Sequence, residues 1–179
     1  MKRTFIRALT GLLMFAALPA AAQSEIELCQ SDTENSVIRA ANCDLALRLG
    51  ELSPEQTIVA LYNRGQASLL AEQPAKALED FEAVLKLQPG DKDAILGRAI
   101  SRRQLKQFDG ALADIDLLLA QNYQPAAKLY LQRGITHFMD GNAGQSLADL
   151  RKAKELAPDD AVIADRLWKT EQFIKQKGK

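Results

Sequence analysis

The sequence is short of the residues that chemistry usually requires. Its 179 residues include one histidine and two cysteines. General-base histidines need a positioned partner, and nothing in the sequence supplies one for His137. Cys29 and Cys43 lie far from that histidine, and a metal site would need further ligands, so no metal or cofactor is expected. The glycines are scattered and form no phosphate-binding loop between a strand and a helix. An excess of either charge is also lacking, with 23 basic residues against 23 acidic ones. A chain without a basic surface is a poor partner for nucleic acid, and it has no polybasic anchor for anionic lipid.

Long apolar runs are missing except at the start. Lys2, Arg3 and Arg7 precede an apolar stretch from Ala8 to Leu18, followed by Pro19-Ala20-Ala21-Ala22. About 11 apolar residues are too few for a helix that spans a bilayer, which needs about 20. A basic head, a short apolar stretch and a small-residue box are the parts of a secretory signal peptide. Residues 1–22 are therefore expected to be removed after Ala22, with no stable membrane insertion afterwards and a periplasmic or secreted product. Retention as an uncleaved anchor is the alternative. That segment carries three basic residues and no acidic one, so what remains holds 20 basic against 23 acidic residues, a net charge of −3. In an exported protein an even cysteine count permits a disulfide between Cys29 and Cys43, which could stabilise by about 3 kcal/mol. Free buried thiols are the other possibility.

The body of the chain repeats itself. Leu61-Tyr62-Asn63-Arg64-Gly65, Ile95-Leu96-Gly97-Arg98-Ala99 and Tyr130-Leu131-Gln132-Arg133-Gly134 align on their arginines, with periods of 34 and 35 residues. Twelve residues after the last residue of each comes another small one, Ala77, Ala111 or Ser146, followed by leucine. Asp80, Asp114 and Asp149 then share one position, with Phe81, Ile115 and Leu150 next, and Pro89 and Pro158 close the first and third units. A fixed period of this length marks stacked supersecondary units. Residues 76–87 and 57–70 both space their apolar residues helically, and Gln73-Pro74 and Asp140-Gly141-Asn142 are turn signals between such halves. Each unit is thus a helical hairpin. Gly65 inside a helix costs about 1 kcal/mol against alanine, and close approach of the partner helix at Ala77 offsets it.

This pattern resembles the tetratricopeptide repeat family, whose glycine, alanine, aromatic and proline positions Gly65, Ala77, Phe81 and Pro89 all match. The second unit departs from it, with Ala99 for glycine, Tyr123 for proline and one extra residue before Pro125; the third has Ser146 for alanine. The resemblance covers residues 57–158 and implies an all-α fold, a short right-handed α-solenoid of three hairpins (57–90, 91–125 and 126–158). Residues 23–56 form a leading segment and cap, with Ile38, Ala41, Leu45 and Leu49 on one helix face, and a cysteine-bearing segment of this kind looks like many exported bacterial members. Residues 159–179 form a closing helix, apolar at Ile163, Leu167, Trp168 and Ile174, and a basic tail.

In that family the first helix of each hairpin lines a groove that binds proteins or peptides. Carried over, the lining is Val59, Tyr62, Asn63, Gln66 and Leu69, then Asp93, Leu96, Ile100 and Arg103, then Lys128, Leu131, Gln132, Ile135 and Phe138. The family's carboxylate clamp is not reproduced, because Tyr62 and Leu96 hold its lysine position and Gln66 and Ile100 its asparagine position. Asp80, Asp114 and Asp149 read as solvated repeat surface rather than as a catalytic pair. The expectation is a non-catalytic scaffold with a protein or peptide partner. Leu96, Ile100, Leu131, Ile135 and Phe138 are open to another reading, in which the closing helix, the leading segment or a second copy in a homodimer covers them.

Overall fold

The computed structural model describes residues 26–30, 35–50 and 52–177. The expected signal segment, residues 1–22, lies outside them. Eight helices follow residues 26–30, which are themselves helical: α1 (Ser36–Leu49), α2 (Pro54–Leu70), α3 (Pro74–Leu87), α4 (Lys92–Gln104), α5 (Phe108–Ala120), α6 (Ala126–Met139), α7 (Ala143–Leu156) and α8 (Ala161–Lys177). The hairpins are α2–α3, α4–α5 and α6–α7, with α1 packed on α2 and α8 on α7. The architecture is the all-α solenoid that the repeat pattern implies.

Local chemistry sets the boundaries. Ser53 caps α2: its Oγ accepts from the Gln56 N–H at 3.2 Å while Gln56 Oε1 accepts from the Ser53 N–H at 2.9 Å, with Pro54 in the first turn. This reciprocal pair satisfies donors that a helix start would otherwise leave open. Gly50, at φ 76°, stops α1 in the left-handed conformation that glycine adopts without steric cost. The turn inside each hairpin uses that conformation too, at Glu72, Lys106 and Gly141. The N–H groups of Gln73, Gln107 and Asn142 then reach back to the carbonyls of Ser68, Arg102 and His137. Asn122 makes the same turn after α5, closing onto the Leu118 carbonyl through the Tyr123 N–H. The second unit's lost proline and extra residue are therefore a change of turn type at one joint.

A disulfide joins Cys29 to Cys43, and both residues are fully buried with Ile26, Ala46 and Ala60. It fixes which side of α1 faces inward. The expected inward face is consequently wrong: Ile38 and Leu49 are 52% and 42% exposed, Ala41 and Leu45 also face outward, and Cys43 and Ala46 form the contact with α2. On α8, Ile163 is buried as expected, but Trp168 points out at 60% exposure and Thr170 takes an inner place.

The main core cluster centres on Phe81, which touches Tyr62 edge-on at 5.8 Å. A Cβ on Gly65 would meet that ring at 3.0 Å, so the small residue makes room for Phe81 more than for Ala77. A Cβ on Gly97 would meet it at 2.5 Å from the next hairpin. One ring thus lies between two glycines and ties two repeats together. Gly97→Ala is expected to cost about 2 kcal/mol, because overpacking outweighs the gain in helix propensity. Gly144→Ala meets nothing within 4 Å and should stabilise by a few tenths of a kcal/mol. Thermal unfolding of the two variants would test the contrast: equal melting temperatures would contradict it.

Candidate partner-binding groove

The repeated arginine and the repeated aspartate find each other. In each hairpin the arginine of the first helix grips the aspartate of the second through two parallel bonds. Arg64 Nη2 and Nε donate to Asp80 at 2.6 and 3.0 Å, Arg98 to Asp114 at 2.6 and 3.0 Å, and Arg133 to Asp149 at 2.7 and 2.9 Å. Asp80, Asp114 and Asp149 are only 3%, 4% and 5% exposed, so their expected place on solvated surface is corrected. They face back into their own hairpins, where only a planar guanidinium with matching geometry makes the burial of a carboxylate tolerable. Burial pushes the Asp80 carboxyl up against the pull of Arg64, and Arg64 and Arg133 are pushed up chiefly by donating to Asp80 and Asp149.

The arginines also reach the preceding unit. Arg64 bonds Asp44 of α1 at 2.9 Å, Arg133 bonds Asp116 of α5 at 2.7 Å, and Arg102 links Asp114 to Glu82 of α3. His137 lies beside this network, largely buried, with Nε2 3.8 Å from Asp149. Among the described residues no group of histidine, cysteine and carboxylate side chains could hold a metal ion.

These pairs occupy the second-helix side, which leaves the first-helix face with the proposed groove residues. Val59, Tyr62, Asn63, Gln66 and Leu69 are half-buried along α2, and Gln66 Nε2 donates to the Tyr62 hydroxyl at 2.9 Å. Exposed Asp93 accepts a short bond from Tyr123, whose hydroxyl is pushed up to about 12, first by donating that bond. Lys128 is exposed at the start of α6. Leu96 and Leu131 do not line the groove: at 3% and 8% exposure they belong to the core. Leu131 is covered by Leu150, Ala153 and Ile163, so the closing helix takes up part of the apolar surface that the sequence left without a cover. Ile100 and Ile135 are half-buried at the edge, and Phe138, 36% exposed, meets Phe173 of α8 edge-on at 5.1 Å. Arg103 turns inward, donating from Nη1 to Gln132 Oε1 at 2.5 Å. Burial, and then the charge of Arg166, push it down to about 10. Tyr123, Arg166 and Phe173 join this face without having been expected there; only the break in the repeat at Tyr123 hinted at any of them.

Comparison with known proteins agrees with this geometry. Residues 58–91 match the family model described as tetratricopeptide repeat. FK506-binding protein 59 of Drosophila melanogaster is 32% identical over 90 residues, half of this chain and 20% of that protein. The chain spans a fifth or less of the length of the curated relatives it matches. Among solved structures, a double mutant of MamA RS-1 superposes with a TM-score of 0.67 at 20% identity, covering 89% of this chain and 88% of that one. YrrB, described as a TPR protein with an unusual peptide-binding site, gives 0.61 at 22% identity, covering 73% of this chain and 64% of that one.

Two contrasts follow from the geometry. Asp114→Ala leaves guanidinium groups partly desolvated and is expected to cost about 3 kcal/mol, whereas Asp116→Ala, at an exposed carboxylate, should cost under about 0.5 kcal/mol. Denaturant titration would measure both. Leu131→Glu forces a charge into the core and should lower helical content, whereas Phe138→Glu should leave the circular dichroism spectrum unchanged.

Proposed function

This chain is a stack of tetratricopeptide repeats, and on that premise we propose that it is a non-catalytic scaffold that binds a protein or peptide along its first-helix face. The observation that carries the reading is the division of labour between the two faces. The buried ionic groups pair with one another on the second-helix side, while Tyr62, Gln66, Arg103, Ile135 and Phe138 remain accessible, in whole or in part, on the other. A ready-made elongated face is what stacked repeats offer a partner. YrrB's described peptide-binding site is in keeping with this.

We place the protein in the periplasm, or outside the cell, after cleavage behind Ala22. The basic and apolar pattern of residues 1–22 supports export, and the Cys29–Cys43 disulfide suits an oxidising compartment. A second reading, self-association as a structural component, draws on the outer face of α1, where Val37, Ile38, Leu45 and Leu49 are exposed together. Large apolar patches on a monomer commonly mark an interface.

Capture from a periplasmic extract tests the scaffold. The wild type should enrich a partner that Phe138→Glu does not, and N-terminal sequencing of the bait from the periplasmic fraction should begin at Gln23. Recovery of the bait alone, together with mass that rises with concentration in light scattering, would favour self-association instead. A bait that stays in the membrane fraction with Met1 intact would refute cleavage.

A further inference from the structure

The groove is not uniform along its length. At the junction of α6, α7 and α8 there is a hollow of about 140 Å³. Ile135, Phe138, Met139 and Leu150 supply its apolar wall, and Arg166 and Lys169 line it with charge. Engineered apolar cavities of about 150 Å³ hold a benzene ring, so the space suits one large side chain. The hydroxyl of Ser146, where the first two repeats have alanine, also lines the hollow, is fully buried and has no hydrogen-bond partner among the described residues.

The charge beside the hollow is unbalanced. Lys169 is paired with Asp165, but Arg166 faces no carboxylate within ion-pair reach among the described residues. Neither does Arg103, whose guanidinium is held by the uncharged Gln132. Elsewhere in the stack Arg64, Arg98, Arg102 and Arg133 all meet acids. Arg166 lines the hollow, and Arg103 is held on Gln132, one helical turn before Ile135 of its wall; unpaired positive charge beside an apolar hollow is complementary to a carboxylate next to a bulky apolar group.

Resting on the groove reading above, we propose that this end of the face anchors an internal segment of a partner protein. The segment places a Leu, Met or aromatic side chain in the hollow and a neighbouring Asp or Glu between Arg103 and Arg166. The arginines come from α4 and α8, and the positions that would grip a chain-end carboxylate hold Tyr62, Leu96, Gln66 and Ile100 instead, so the acid is a side chain of a segment that continues past it.

The test is selection of random twelve-residue peptides on the whole chain produced in an exporting host. One library is flanked on both sides by carrier sequence, and a second ends in a free carboxylate. The flanked library should yield sequences with an acid within a few residues of a large apolar residue. Synthetic versions, acetylated and amidated, should bind Arg103→Gln/Arg166→Gln at least about ten-fold more weakly, the loss of one charge-assisted contact. Arg166→Gln alone, at an exposed position, should show part of that loss without any change in fold. Flanked peptides that show no acid preference, or that bind the double variant equally well, would overturn the inference. If they still lost binding to Phe138→Glu, the groove reading would survive. Binding confined to the free-carboxylate library would overturn the internal segment. A folded protein that retains nothing from either library would remove both readings.

Discussion

A carboxylate buried between two helices, sixteen residues after the arginine that holds it, sets the terms for the rest of the stack. An isolated carboxylate in that place would cost several kcal/mol, and only a guanidinium fork of the right register brings the cost down. The pair therefore specifies how the two helices of a hairpin slide and rotate against each other. The apolar contacts around Phe81, Ile115 and Leu150, each following its aspartate directly, are placed by the same register. Hydrophobic burial supplies most of the stabilisation, but it is non-directional. The ionic pairs supply direction.

Because the same arginines reach back to Asp44 and Asp116, and Arg102 to Glu82, the unit-to-unit angle has a polar tie as well. The second-helix side consequently holds nearly balanced, mutually satisfied charge. The first-helix side has no such lattice. Its polar groups make isolated contacts, Tyr62 with Gln66, Tyr123 with Asp93 and Arg103 with Gln132, and these leave charge available to a visitor.

The periodicity made the fold legible. Gly65, Ala77, Phe81 and Pro89 carry it through spacing alone, and Gln73-Pro74 and Asp140-Gly141-Asn142 mark the turns inside the first and third hairpins. What could not be read was direction. Arg64 and Asp80 were visible as repeated positions, but nothing in one dimension says that residues sixteen apart on two antiparallel helices meet. The face of α1 was misread because helical spacing gave two candidate stripes, and the disulfide, a constraint from outside the helix, chose the less apolar one. Leu96 and Leu131 were placed in the groove by family position, yet Leu131 is covered by α8, whose own inward residues, Ile163 and Thr170, are only partly apolar. The role of Gly97 is not legible within its own repeat, because it depends on a ring contributed by the previous one.

The hydrophobic interior is discontinuous. One cluster runs from Leu61 through Phe81 and Ile115 to Leu129, and another holds Leu131, Leu150 and Ile163, so α6 turns Leu129 to one and Leu131 to the other. The glycine-seated ring that joins the first two repeats has no counterpart at this seam, which is spanned on one side by Arg133–Asp116 and on the other by Arg103–Gln132. Helix α6 is thus a party wall: Leu129, Arg133 and Gln132 tie it to the preceding repeat, while Leu131 faces Leu150 and Ile163 behind it, so a change in its tilt would be felt in both clusters at once.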